Sequence, residues 1–356
     1  MSSKWFERYE KVFFREYTEN ELMDSLSRWQ DGSGHMGEIV HHFFDRLMYQ
    51  CRNIRHSYGL EKDATPLQAL QNDSFVDFIL AYIYRHPKMF WKNPKDAVLK
   101  KSSDTDFSKD DIERMKLYFR MGGAPRKVSV FPPKNVKMLL DRLFQAHDCF
   151  EEPLNYHDPS CGFGTRAAAG LLRNFRYYGT DPNKELNVKL HEMVSLINKW
   201  GKCGGGRIPE ADIRCQGSEV FIPEWEGIMD LSFTSPPYFN LELYSDDGYA
   251  STENYSDYGK WLECFLFPSI RNSMRYLKQG GYFCLNIKNI PGKPIWDDAF
   301  AFVEKAEGFE MLEPIEFVPE SKRNFLVSKK DGTKILCSQT KYSNEEIMVA
   351  RKKVQE

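Results

Sequence analysis

Several features that would narrow the reading of this chain are missing from it. Its eight cysteines (Cys51, Cys149, Cys161, Cys203, Cys215, Cys264, Cys284 and Cys337) include no CxxC pair, and no cysteine–histidine cluster has zinc-ligand spacing. A zinc-ribbon or disulfide framework is thereby excluded; no metal is expected, and scattered thiols suit a reducing cytoplasm. No apolar run approaches the roughly 20 residues of a membrane helix. The opening MSSKWFERYEKVFF lacks the apolar stretch of a signal peptide. The expectation is a soluble cytoplasmic protein with no membrane partner. Excess positive charge is missing too: 49 Lys and Arg stand against 51 Asp and Glu, a net charge of −2. No global field draws in a polyanion, so a nucleic-acid surface must be a local patch, and a pure binding module is disfavoured.

What is present is ordinary globular material: 356 residues, 41% of them hydrophobic, enough for a substantial core and about two domains. From Trp5 to Leu117 the segments ELMDSLSRWQ, GEIVHHFFDRLMYQCRNI and NDSFVDFILAYIYRHPKMF repeat apolar residues at helical spacing, with breakers at Gly32, Gly34, Pro66, Pro87 and Pro94. Beyond Met121 strands and helices alternate. LNYHDPS, YYGTDPN, IRCQGSEV, MDLSFTSPP and GGYFCLNIKNI read as successive strands. NVKMLLDRLFQAH, TRAAAGLLRNF, ELNVKLHEMVSLINKW, GKWLECFLFPSIRNSMRYL and WDDAFAFVEKAEG read as helices. FEMLEPIEFVP and EEIMVARKK close the chain as two further strands suited to an antiparallel pair. This order predicts an α/β doubly wound, Rossmann-like sheet, mostly parallel, whose ligand lies at the carboxyl ends of the strands. Residues 1–120 form a helical N-terminal region assigned to target recognition or assembly, and residues 121–356 the α/β domain.

Three strand-end segments carry chemistry. Asp158-Pro159-Ser160-Cys161-Gly162-Phe163-Gly164-Thr165 joins a strand to a helix; its glycines let backbone amides approach a ligand, though a plain turn also uses glycine. Asp181, one βαβ unit further on, is placed to accept both hydroxyls of a ribose, or to cap the next helix. A dinucleotide fingerprint is disfavoured because Ala167 stands where G-x-G-x-x-G has its third glycine. Ser235-Pro236-Pro237-Tyr238 follows the fourth strand. Two prolines remove two amide donors, which leaves carbonyls and the Ser235 hydroxyl as acceptors for a ligand amine, and Tyr238 offers a stacking face.

These residues resemble the S-adenosylmethionine-dependent N4-cytosine/N6-adenine DNA amino-methyltransferases. Asp158 to Thr165 matches the family's D-P-F-x-G-x-G-T, with Ser160 in place of Phe, and Ser235 to Tyr238 matches its Asp/Asn/Ser-Pro-Pro-aromatic motif in full. Phe131-Pro132-Pro133-Lys134 to Leu143 is similar to the family's helix start over the cofactor's methionine end, without its His and Gln. The resemblance covers roughly Met121 to Lys353. It implies a methyltransferase fold that binds S-adenosylmethionine through Lys134, Asp158, Pro159, Ser160, Cys161, Gly162, Gly164, Thr165, Asp181 and Ser218. Asp158 is assigned to the ammonium, Asp181 to the ribose and Ser218 to the adenine.

It also implies direct methyl transfer, with Ser235, Pro236, Pro237 and Tyr238 as catalytic residues and a base flipped out of DNA as substrate. A serine heading the motif favours N4 of cytosine over N6 of adenine. Readout of the target falls to the N-terminal helices, to Asn240–Tyr258 with Tyr244, Tyr249, Tyr255 and Tyr258, or to the Lys/Arg-rich Pro319–Tyr342. A restriction or other partner subunit fits the same picture. An RNA or protein amino-methyltransferase and a non-catalytic nucleic-acid-binding protein are the alternatives.

Overall fold

The computed structural model describes residues 3–32, 36–53, 64–122, 128, 130–144, 152–239, 242–243, 255–317, 325–328, 334–337 and 345–354. Its centre is a seven-stranded sheet. In chain order the strands are β1 (Leu154–Asp158), β2 (Phe175–Thr180), β3 (Ala211–Arg214), β4 (Met229–Thr234), β5 (Leu277–Leu285), β6 (Phe309–Phe317) and β7 (Glu345–Lys352). Their spatial order is β3-β2-β1-β4-β5-β7-β6. The pairs β1–β2, β1–β4, β2–β3 and β4–β5 are parallel. β7 slots between β5 and β6, antiparallel to both. This is the expected mostly parallel, Rossmann-like sheet with an antiparallel last strand. The chain leaves β1 to one side and returns through β4 on the other, so a crevice opens at the carboxyl ends of β1 and β4.

Two expectations need adjusting. The third strand stops at Arg214, and Gln216–Val220 is a turn with Val220 N–H donating to the Gly217 carbonyl at 3.2 Å. The fifth strand begins earlier, at Leu277, and ends at Leu285, and a loop follows it. Both errors come from treating runs of strand-prone residues as continuous through a glycine or asparagine.

Helices cover both faces of the sheet. On one side lie α7 (Pro133–Phe144), α8 (Thr165–Leu172) and α9 (Lys184–Trp200). On the other lie α10 (Phe267–Tyr276), entered through a π turn at Leu262–Leu266, and α11 (Ile295–Glu304). The N-terminal helices are α1 (Lys4–Phe13), α2 (Glu19–Gln30), α3 (Gly37–Gln50), α4 (Pro66–Leu70), α5 (Asp73–Arg85) and α6 (Lys109–Leu117). Capping boxes at Thr18/Glu21, Thr65/Gln68 and Ser108/Asp111 start α2, α4 and α6.

These helices divide between two cores. Trp5, Phe13, Phe75, Ile79 and Met115 pack together as a core of their own. Leu26, Trp29, Ile39 and Phe44 instead share one continuous core with Leu139, Tyr156, Phe175 and Leu190 of the sheet layer. Trp200 Nε1–H donates to Ser27 Oγ at 2.9 Å across that junction. Arg52–Asn53, just past α3, pair antiparallel with Glu242–Leu243, four residues beyond Tyr238. No helix among the described residues is long and apolar enough to cross a membrane.

Candidate active site

Asp158 closes β1 with a carboxylate that is fully buried. Oδ2 accepts from Arg166 Nε at 2.8 Å and from the Tyr177 hydroxyl at 2.7 Å. Oδ1 accepts from Arg166 Nη2 at 3.2 Å, from Thr234 Oγ1 at 3.1 Å and from the Ser160 amide at 3.2 Å. Five protein donors already satisfy this group, so the structure does not present it to an ammonium as the sequence suggested. Arg166 is its counter-ion. Burial opposes the guanidinium charge, but Asp158 beside it outweighs that and raises its pKa further. Sequence reasoning passed over Arg166. The signal was available: one charged residue in TRAAAGLL, a helix buried at every position, requires a buried partner.

The turn after Asp158 is laced to β2. The Cys161 amide donates to the Thr180 carbonyl at 3.0 Å, and Thr180 Oγ1 donates to the Pro159 carbonyl at 3.1 Å. Cys161 and Thr165 are buried, and burial pushes the Cys161 thiol pKa up. Gly164 is the N-cap of α8 at φ 68°, and a Cβ there would meet Met193 Cε at 2.8 Å, so no other residue fits without rearrangement. Gly162, at φ 52°, differs: a Cβ there would reach only the Ser160 carbonyl, at 3.8 Å, in otherwise open space.

Asp181 lies just past β2. Its Oδ2 accepts from the Gly162 amide at 3.1 Å and its Oδ1 from the Asn183 amide at 3.1 Å, which ties the two strand-end turns together. Burial lifts its carboxyl to about 6, against the lowering effect of those two amides. Asn183, not Asp181, caps α9, through its side chain on the Leu186 amide at 2.9 Å.

Past β3, Ser218 is buried with its hydroxyl 2.8 Å from Ser269 Oγ on α10. The Glu219 side chain folds back over Gly217, and its Oε2 is buried with no hydrogen-bond partner. Sequence reasoning assigned this position to Ser218; the orphaned carboxylate oxygen belongs to its neighbour.

Ser235-Pro236-Pro237-Tyr238 leaves β4 beside Asp158, to which Thr234 is hydrogen-bonded. Ser235 Oγ lies 3.4 Å from the Tyr238 hydroxyl, which lies 3.5 Å from the Asn286 carbonyl. Phe239 follows at φ 42°, an unusual conformation for a non-glycine residue, held by its burial against Tyr258 and Trp261. A small, mostly apolar cavity lies between these turns and α10: Pro159, Ser160, Ser218 and Pro236 line it together with Leu266 and Ile270, whereas Gly162, Gly164, Asp181, Ser235 and Tyr238 do not.

Lys134 is exposed in the first turn of α7 and does not line this cavity. Phe131 nevertheless packs edge-on against Phe233 at 5.3 Å, which sets the helix start against β4. Tyr255 is half-buried, and Tyr258 donates to Asp298 Oδ2 at 2.6 Å within the protein's own packing. Tyr244 and Tyr249 lie outside the described residues, as does most of Pro319–Tyr342, of which Phe325–Ser328 and Lys334–Cys337 pair as an antiparallel ribbon.

No curated protein matches the chain. Solved structures similar to it include a SAM-dependent O-methyltransferase of Thermotoga maritima, 13% identical over 69% of this chain and 71% of that one, TM-score 0.39. A tRNA methyltransferase of Aquifex aeolicus is 10% identical over 65% and 72%, TM-score 0.38. A magnesium protoporphyrin IX methyltransferase of Synechocystis, solved with bound SAM, is 11% identical over 62% and 79%, TM-score 0.38. Residues 229–356, from β4 and the Ser235-Pro236-Pro237-Tyr238 turn to the last strand, match the model of a family described as DNA methylase, and over that stretch the resemblance to the N4-cytosine/N6-adenine methyltransferases is borne out.

Proposed function

We propose that this protein is an S-adenosylmethionine-dependent DNA methyltransferase acting on the exocyclic amine of a base, N4 of cytosine ahead of N6 of adenine. The observation that carries the reading is the juxtaposition of the glycine turn after β1 and the Ser-Pro-Pro-Tyr turn after β4, which leave adjacent parallel strands and are bridged by the Thr234 hydroxyl on Asp158. The residues present fit the cofactor. Asp181 offers a half-buried carboxylate to the ribose hydroxyls, and Gly162 leaves an open cradle above it. Glu219 Oε2 supplies an unmet acceptor on the adenine side, a role better suited to it than to Ser218. Asp158, with its oxygens satisfied, acts as the fixed anchor of the turn and not as a direct contact.

S-adenosylmethionine, when bound, supplies an electrophilic methyl group. The chain's own residues prepare the acceptor. An exocyclic amine conjugated to its ring is a poor nucleophile, because its lone pair is delocalised. Accepting its two N–H bonds at Ser235 Oγ and the Pro236 carbonyl concentrates that lone pair on nitrogen, and the stiff Pro-Pro pair fixes the direction in which it points. Tyr238 stacks on the base flipped out of the duplex. Serine is too weak a base to take the proton before transfer, so the proton leaves to water afterwards. The serine at the head of the motif is what favours cytosine.

Incubation with methyl-labelled cofactor and separate DNA, RNA and protein pools tests the reading. Label is expected in DNA; label confined to RNA or protein would replace it with an amino-methyltransferase of another class.

A further inference from the structure

Beyond β5 the chain runs Asn286-Ile287-Lys288-Asn289-Ile290-Pro291-Gly292-Lys293 before α11 begins. This loop is rigidly built. Ile290 and Lys293 close it through two backbone hydrogen bonds, of 3.1 and 2.9 Å. Pro291 and Gly292, the latter at φ 74°, occupy the corners where a type II turn needs a fixed φ and a left-handed one. Ile287 and Ile290 are buried anchors, and Asn289 is fastened to Asp297 and to the Trp296 amide.

This frame carries two ammonium groups, of exposed Lys288 and half-buried Lys293, beside the Tyr238-Phe239 segment. Lys288 is exposed, with Nζ 6.0 Å from the centre of the Tyr238 ring. Lys293 Nζ is 4.8 Å from the Phe239 ring centre and 5.4 Å from that of Tyr258, and among the described residues it forms no ion pair. Of the nearby carboxylates, Asp297 is hydrogen-bonded to Asn289 and Asp298 to Tyr258. In a chain of net charge −2, paired cations on a stiff turn beside a base-stacking tyrosine are a local patch of the kind a polyanion requires.

We propose that the Asn286–Lys293 turn is a backbone clamp for duplex DNA, with Lys288 and Lys293 contacting the phosphates that flank the base held at Tyr238. The proposal rests on the nucleic-acid reading above, since a nucleotide seated at Tyr238 must carry its own phosphates around the rim of the pocket. Phosphate contacts of this kind position the substrate and carry no sequence information.

The test is the salt dependence of duplex affinity, measured by fluorescence anisotropy between 50 and 200 mM salt, for the wild type and for Lys288→Gln, Lys293→Gln and the double variant. Each phosphate contact removed should lower the slope of log affinity against log salt by about 0.9, and the double variant by about twice that. Cofactor affinity by calorimetry should be unchanged, which also shows that the variants fold. The Lys288→Arg/Lys293→Arg double variant should restore the slope, and Lys11→Gln, remote on α1, should leave it untouched. A salt-dependent wild type whose slope survives in the double glutamine variant overturns the clamp alone. A wild type that binds no duplex overturns the DNA reading and the clamp with it.

Discussion

The turn after β1 and the turn after β4 leave the sheet side by side, bridged by the Thr234 hydroxyl on Asp158, yet they are held by opposite means. The first is cross-linked by five hydrogen bonds to one carboxylate, two of them from its counter-ion Arg166, and by a left-handed glycine packed against Met193. The second is held by two proline rings and by Phe239 in its aromatic pocket; its polar side-chain contacts, at 3.4 and 3.5 Å, are long. Under the proposed function this difference separates two tasks. A turn that must hold the same cofactor in every cycle has its polar groups satisfied internally. A turn that must grip a base amine keeps its acceptors for the substrate and takes its rigidity from ring closure and apolar packing.

Five substitutions and one pH profile would break or sharpen this contrast. Arg166→Met should have the largest effect on the first turn, because it strands Asp158 as an unpaired buried carboxylate. A loss of about 3–5 kcal/mol in denaturant unfolding is expected, as for other broken buried pairs. Ser235→Ala in the second turn should leave stability within about 0.5 kcal/mol of wild type. Its kcat, in contrast, should fall by about 100- to 1000-fold, the usual cost of one preorganised hydrogen-bonding group at a reacting centre, with cofactor affinity intact. If Ser235→Ala weakens cofactor binding as much as it slows turnover, the two turns are not functionally separate.

Gly164→Ala should cost about 1–3 kcal/mol in unfolding free energy, from its left-handed φ and the displacement of Met193. Gly162→Ala carries the same left-handed strain but displaces no neighbour, so it should cost less than Gly164→Ala and act also on cofactor binding. The smallest effect concerns pH. Burial holds the free Asp181 carboxyl at about 6, and only the ionised form accepts two ribose hydroxyls. Cofactor affinity by calorimetry should therefore be level above pH 6 and fall about tenfold per unit below it. Asp181→Asn should bind more weakly and flatten that profile.

The motif turns were legible from sequence because both depend on backbone-special residues, Gly164 and the Pro-Pro pair, whose roles are local. The succession of strands was legible for a related reason: short strand-like segments alternate with longer segments of helical periodicity, and β6 and β7 end the chain as an antiparallel pair as expected. Partnership between distant side chains was not legible. The lone charge in TRAAAGLL calls for a buried partner but does not say that it is Asp158, and nothing local announces that Glu219 and not Ser218 presents an unmet oxygen, because both depend on how the elements pack. The interleaving of α2 and α3 with the sheet layer escaped for the same reason: helical periodicity gives the buried face but not what covers it.

Mass spectrometry of nucleosides from the DNA of cells expressing the protein tests the central claim most directly, with the Ser235→Ala variant as control. The account predicts N4-methylcytosine in wild-type DNA and its loss in the variant. DNA free of both N4-methylcytosine and N6-methyladenine, while labelled methyl groups accumulate in RNA or protein, would contradict it.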